Sequence, residues 1–246
     1  MHRYKIVIEY EGSKFIGWQI QKKGNSVQKS IEKALSKLLK SKIKIIGAGR
    51  TDCGVHALGQ SAHFDIKNKI LNEKKTLNSL NYFLNKKLIS IISIEKKHNQ
   101  FHSRYSAKFR IYKYIIFNRV SNPSIFRNRG WHVKKKLDIR ALKLGAKLLE
   151  GKKDFSTFRA SSCSAKSPIR TINFAKVKKN NNIIEIKFKS QSFLQHQVRS
   201  MVGCLKLLGE KNWTIEKFNN VLISKKRSLC APPAPAHGLF LEKIIY

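Results

Sequence analysis

A chain of 246 residues, 41% of them hydrophobic, has material for one large or two modest domains with a real core, which excludes a disordered basic tail. Its 51 Lys and Arg against 14 Asp and Glu give a formal net charge of +37, which favours a polyanionic partner such as nucleic acid, because each neutralised phosphate releases counterions. Part of that charge is compositional drift, since 39 Lys against 12 Arg, with abundant Asn and Ile, also fits coding DNA rich in A and T.

The pattern along the chain is α/β, mixed rather than regularly alternating. Tyr4 to Tyr10 alternates Tyr4, Ile6, Ile8 and Tyr10 against Lys5, Val7 and Glu9, as a half-buried strand does. Ser26 is placed to N-cap a helix running to Lys40, with Val27, Ile31, Ala34, Leu35, Leu38 and Leu39 on one face and lysines on the other. Ile43 to Ile46 and Gln60 to Ile66 are expected as strands flanking a Gly-rich loop. Asn72 to Leu84 predicts a helix, Ile89 to Glu95 a strand, and Tyr112 to Phe117 an aromatic and β-branched strand. Asn122-Pro123 marks a connection, Asp138 caps a helix reaching about Glu150, and Lys152 to Ser167 is polar and loop-like. Strands are expected at Ile172 to Lys178 and Ile183 to Lys189, a helix over Ser192 to Leu208, and a last strand at Leu239 to Tyr246 after the Pro-rich Ala231 to Ala236. A split near residue 100 gives two halves, 1–100 and 101–246, without a sequence repeat between them.

No apolar run approaches the ~20 residues of a membrane span, and no basic amphipathic anchor stands out. The segment Met1 to Tyr10 lacks the long apolar region of a signal peptide, so a soluble, cytoplasmic protein is expected. Cys53, Cys163, Cys204 and Cys230 are widely separated, with no C-x-x-C pair or Cys/His cluster, which predicts reduced thiols and no zinc.

The segment Gly47-Ala48-Gly49-Arg50-Thr51-Asp52-Cys53-Gly54-Val55-His56-Ala57-Leu58-Gly59-Gln60 carries a single carboxylate among four glycines. Such backbone is free to turn tightly and to approach a ligand. Taken alone, the motif fits a hairpin whose Asp supports a turn as well as it fits catalysis. The expected strands would put Asp52 at a strand end, beside a sheet.

Together with five further segments, this loop resembles one family. Gly49-Arg50-Thr51-Asp52-x-Gly54-Val55-His56-Ala57-x-Gly59-Gln60 is similar to the signature of the TruA family of tRNA pseudouridine synthases. Also similar, and in the family's order, are Glu9-Tyr10-x-Gly12-Ser13-x-Phe15-x-Gly17-Trp18-Gln19, Phe101-His102-Ser103-Arg104-Tyr105-Ser106-Ala107, Tyr112-x-Tyr114, Asp154-Phe155-Ser156-x-Phe158-Arg159 and Phe193-Leu194-x-His196-x-Val198-Arg199-x-Met201-Val202-Gly203. The resemblance spans nearly the whole chain. It implies the pseudouridine synthase fold: two similar α/β halves in one extended mixed, mainly antiparallel sheet around a basic cleft, the first half carrying the Asp loop and the second completing the site, working as a homodimer.

The same resemblance implies isomerisation of uridine to pseudouridine at positions 38, 39 and 40 of the tRNA anticodon arm. A carboxylate serves this chemistry as a nucleophile toward sugar or base, or as a base in an elimination route, so no metal or cofactor is implied. By resemblance Asp52 is the catalytic residue, Arg50 takes the place vacated by the extruded base, and Tyr112 packs on the target uracil. Arg199 pairs with the catalytic Asp, and Leu239 lines the uracil pocket. Read as residues alone, Arg50 is equally a surface cation, Tyr112 and Leu239 are strand core, and Arg199 is as readily solvated as ion-paired. His56 and His196 receive structural or RNA-contact roles.

Asn81-Tyr82-Phe83-Leu84-Asn85 lacks a proline expected after the leucine, and Cys53 stands where small residues are usual; neither alters the implied site. Two other readings stay open, a non-catalytic RNA-binding or RNA-folding module and a pseudouridine synthase for other uridines. Simple phosphate binding has no use for a carboxylate in a basic cleft, which argues against the first.

Overall fold

The computed structural model describes all 246 residues. It is a mixed α/β protein whose contacts group the chain into two units, Met1–Lys108 with Leu241–Tyr246, and Phe109–Phe240. No helix is long and apolar enough to cross a membrane.

In the first unit the strand β1 (His2–Tyr10) buries Tyr4, Ile6, Ile8 and Tyr10, the alternation expected of it. Helix α1 (Val27–Leu38) starts where Ser26 Oγ accepts the Lys29 N–H and ends two residues before Lys40, which is left-handed at φ 49°. The next strand is only β2 (Ile46–Gly47). Ile43 and Ile45 are buried but unladdered, because Ser36 Oγ accepts the Ile43 N–H and Glu32 Oε1 the Ile45 N–H. Strand β3 (His56–Ile66) begins four residues earlier than the apolar run suggests. Helix α2 (Glu73–Leu84), capped by Asn72, packs on α1 and on β4 (Ile89–Lys97). The strands run antiparallel, β1 between β4 and β3.

The second unit is built on β5 (Phe109–Phe117), with the short parallel β6 (Trp131–His132) beside it. Helix α3 (Ile139–Leu148) is capped by Asp138, which accepts from Arg140 and Ala141 N–H, and ends two residues short of Glu150. The stretch expected as loop contains β7 (Gly151–Asp154) and a 3-10 turn burying Phe155 and Phe158, so its polar composition hides two core aromatics. Strands β8 (Ile169–Asn180) and β9 (Ile183–Ser190) form a hairpin, with Asn181 in the left-handed region at φ 50°. β9 alternates cleanly, burying Ile184, Ile186 and Phe188, each contributing about 1.5–3 kcal/mol over exposure.

Helix α4 (Gln197–Gly209) starts five residues later than periodicity suggests. His196 sits at φ 62°, and the Leu194 N–H is satisfied by the Gln197 side chain rather than by a helical carbonyl. Helix α5 (Ile215–Ile223), capped by Thr214, was not expected. β10 (Leu239–Ile245) begins at the end of this unit and continues into the first, next to β3. All four cysteines are free thiols.

Candidate active site

Asp52 lies in the loop between β2 and β3, and its neighbours explain why a Gly-rich loop holds one shape. The Val55 N–H donates to the Asp52 carbonyl at 3.1 Å and closes a tight turn, with Gly54 at φ 78°. Thr51 is buried: its carbonyl accepts the Trp18 N–H at 3.1 Å and its Oγ1 lies 2.7 Å from the Tyr10 hydroxyl. Behind the loop, Gln60 Nε2 donates to the Gly49 carbonyl at 2.9 Å, and the Ala48 N–H donates to Ser61 O at 2.7 Å.

The turn after β1 presses on the same loop with bare backbone. A Cβ at Gly12 would stand 2.0 Å from Val55 O, and one at Gly17, where φ is +112°, would stand 2.6 Å from Thr51 O. Only glycine allows both approaches. His56 Nδ1 accepts the Gly12 N–H at 3.0 Å, so this buried ring ties the turn to the start of β3, the structural one of the two roles expected for it. Both flanks of Asp52 are thus pinned while its side chain stays half-buried and Arg50 and Cys53 are exposed. That is the preorganisation a nucleophilic or basic carboxylate needs, since a group held before reaction does not lose freedom during it.

The other three candidates belong to the second unit. Tyr112, on β5 opposite Phe188, is half-buried and meets Phe193 edge-on, with ring centres 5.2 Å apart. Arg199 sits in the first turn of α4, half-buried; its Nε donates to the Ala234 carbonyl at 2.8 Å while the Ala234 N–H donates to the Arg199 carbonyl at 2.9 Å. Three residues after Ala234, burial beside the Arg199 charge pushes the His237 imidazole below its usual range. Leu239 is buried at the head of β10.

Arg50 and Asp52 therefore share one loop, and the segment from Ala234 to Leu239 connects Arg199 to Leu239. Sequence reasoning missed the residue that fixes this segment. Tyr114 is fully buried, its hydroxyl donates to the Pro235 carbonyl at 2.8 Å, and Gly238 lies flat on its ring, where a Cβ would meet Cζ at 2.5 Å. The signal was the spacing of Tyr112 and Tyr114, which puts both rings on one face of β5.

Comparison with known proteins gives the same family along the whole length. A family model described as tRNA pseudouridine synthase matches residues 6–106 and 146–246. A tRNA pseudouridine synthase A from Pelagibacter ubique (strain HTCC1062) is 62% identical over 246 residues, with 100% of both chains covered. Proteins of the same name from Ehrlichia chaffeensis (strain ATCC CRL-10679 / Arkansas) and Parvibaculum lavamentivorans (strain DS-1 / DSM 13023 / NCIMB 13966) are 44% and 41% identical, over 99% and 100% of this chain and 100% of each relative. With the pinned Asp52 loop between β2 and β3 and this identity from end to end, the chain belongs to the TruA family of tRNA pseudouridine synthases.

Proposed function

We propose that this protein isomerises uridine to pseudouridine in tRNA, at positions 38, 39 and 40 of the anticodon arm, with Asp52 as the catalytic nucleophile. The observation that carries the reading is the Asp52 loop, pinned on both sides by Thr51, Val55 and the Gly12–Trp18 turn with Asp52 itself half-buried. The reaction breaks the bond between ribose C1′ and uracil N1, forms one between C1′ and C5, moves a proton off C5 and supplies one to N1. Nothing is oxidised or hydrolysed, so the chain's own side chains suffice and neither metal nor cofactor is required.

Reaching Asp52 requires the target base to leave the stack, at a cost of a few kcal/mol. Arg50, exposed beside Asp52, offers a planar guanidinium to occupy the gap or hold a phosphate. Tyr112 supplies an aromatic face for the uracil, Leu239 an apolar wall, and Arg199 a positive charge to pair with the carboxylate. In this reading residues 1–100 carry the catalytic loop, residues 101–246 complete a basic cleft, and the enzyme acts as a cytoplasmic homodimer on tRNA. The family membership and the net charge of +37 support a tRNA substrate.

The test is release of tritium from tRNA transcripts labelled at uridine C5, with mapping of the product by nucleotide and Asp52→Ala as the paired variant. Product at positions 38 to 40 that disappears with Asp52→Ala is expected. Product elsewhere overturns the site choice, and tight binding without product moves the protein to the RNA-binding class.

A further inference from the structure

Within the first unit, the segment after β4 builds a small aromatic and basic platform. Phe101 to Ala107 forms a compact turn in which the Ser106 N–H donates to His102 O at 2.8 Å, and the His102 N–H donates to Ser106 Oγ at 3.0 Å. The Arg104 and Tyr105 N–H groups both point at His102 Nδ1, at 3.2 and 3.3 Å. Ser103 is fully buried against His63, and its carbonyl accepts the Tyr246 hydroxyl at 3.0 Å. Arg3 donates at 2.7 Å to both Asn99 O and Phe101 O. A loop whose backbone groups are satisfied this fully is held in shape before any partner arrives.

This rigid turn displays Tyr105, which is 76% exposed. Its ring stacks on His102 with centres 4.3 Å apart and planes 30° from parallel, and the Arg104 guanidinium stands 5.7 Å from its centre. Burial and the Arg3 and Arg104 charges push the His102 pKa below its usual range, which favours the neutral ring in the stack. An aromatic at that exposure adds almost nothing to the core.

We infer that the Tyr105–His102 stack, with Arg104 and Arg3 beside it, is a second nucleobase site, where one unpaired or terminal base of the RNA substrate stacks on Tyr105 while Arg104 meets its phosphate. Rings on every base make such stacking tolerant of sequence, and arginine alongside adds charge. A nucleic acid suits the platform better than an apolar protein surface, since the nearby carboxylate, Asp65, is already bound by Arg3 at 2.6 and 2.7 Å and the Arg104 guanidinium stands beside the exposed ring. The inference rests on the proposed function in taking tRNA as the RNA.

Affinity for an unmodified, full-length tRNA transcript, read by fluorescence anisotropy over a salt series, tests it with Tyr105→Ala, Tyr105→Phe and Arg104→Ala. Tyr105→Ala is expected to weaken binding about 5- to 150-fold, the range of one lost base–aromatic stack, with an unchanged salt slope. Tyr105→Phe keeps wild-type affinity, Arg104→Ala lowers the salt slope by about one phosphate, and Tyr105→Ala leaves binding to heparin, a polyanion without bases, as in wild type. The inference fails if Tyr105→Ala, shown to be folded by its thermal transition, binds tRNA like wild type. It fails equally if Tyr105→Phe is as weak as Tyr105→Ala, or if heparin binding falls in step with tRNA binding. Because anisotropy needs no turnover, a wild-type protein that makes no pseudouridine would overturn the proposed function while leaving this measurement decisive.

Discussion

Replacing Gly12 by alanine should separate the placement of Asp52 from the stability of the fold. The added Cβ would lie 2.0 Å from Val55 O and 2.5 Å from Val55 C, both backbone atoms, so no side chain can swing away to relieve the overlap. Ordinary contact begins near 3.4 Å, so turn and loop must part by about 1.4 Å, three residues from Asp52. Overpacking of this kind costs about 1–3 kcal/mol, and a chain of this size loses roughly 2–4 °C of Tm for each kcal/mol. The expected loss of Tm is therefore roughly 2–12 °C. A reacting group displaced by ~1 Å loses on the order of 100-fold in rate, so the single-turnover rate of tritium release should fall about that much. tRNA affinity, spread over a large basic surface, should change far less. Gly49→Ala is the control, since its Cβ would point into open space and Tm should hold. A folded Gly12→Ala protein that reacts at the wild-type rate would refute the idea that this turn sets the position of Asp52.

Two further outcomes follow from other parts of the structure. Tyr114→Phe keeps the ring under Gly238 but removes the hydrogen bond to Pro235 O, at a cost of about 0.5–1.5 kcal/mol; kcat should drop about tenfold with KM little altered, and an unchanged kcat would show that the Ala234–Leu239 segment needs no such anchor. In acid, His63 contributes a loss of stability, alongside His102 and His237: burial, then the Arg3 charge, lower its pKa from 6.5 to about 4. The unfolded chain therefore takes up a proton in that window that the fold refuses. Stability is full above pH 6.5 and falls by up to about 3 kcal/mol as pH drops toward 4. Urea unfolding between pH 4 and 7.5 checks this, with His63→Asn, which retains an acceptor for the Ser103 N–H, expected to show a flatter profile.

What the sequence displays depends on whether the stabilising partner is near or far along the chain. β1 follows from alternation, β5 from its aromatic and β-branched residues, and the starts of α1, α2 and α3 from Ser26, Asn72 and Asp138, because a cap bonds to N–H groups two or three residues on. Ile43 to Ile45 reads as a strand but is served by Glu32 and Ser36, side chains on α1 that periodicity cannot connect to it. The start of α4 fails similarly: the apolar spacing runs on through Ser192 to His196, while the left-handed His196 and the Gln197 side chain close the backbone another way. α5 carried its own signals, Thr214 as cap and Ile215, Phe218 and Leu222 on one face, over only nine residues.

The candidate site divides along the same line. Asp52 stands out as a lone carboxylate in a Gly-rich loop, yet what holds that loop in one shape is contact of Thr51 and Val55 with Gly12, Gly17 and Trp18, some 33 to 43 positions earlier in the chain. The glycine-bearing motif after β1 and the Arg50-Thr51-Asp52 motif are therefore two halves of one support. A glycine there is required by backbone approach, and a larger residue would be excluded even if the loop bound nothing. Tyr114, quoted as a motif member, received no role for the converse reason, since a tyrosine alternating with Tyr112 in a strand is indistinguishable from core until its hydroxyl is seen holding Pro235. Positioning residues of this kind carry no local chemical signature, so in a sequence they surface only as unexplained members of a motif.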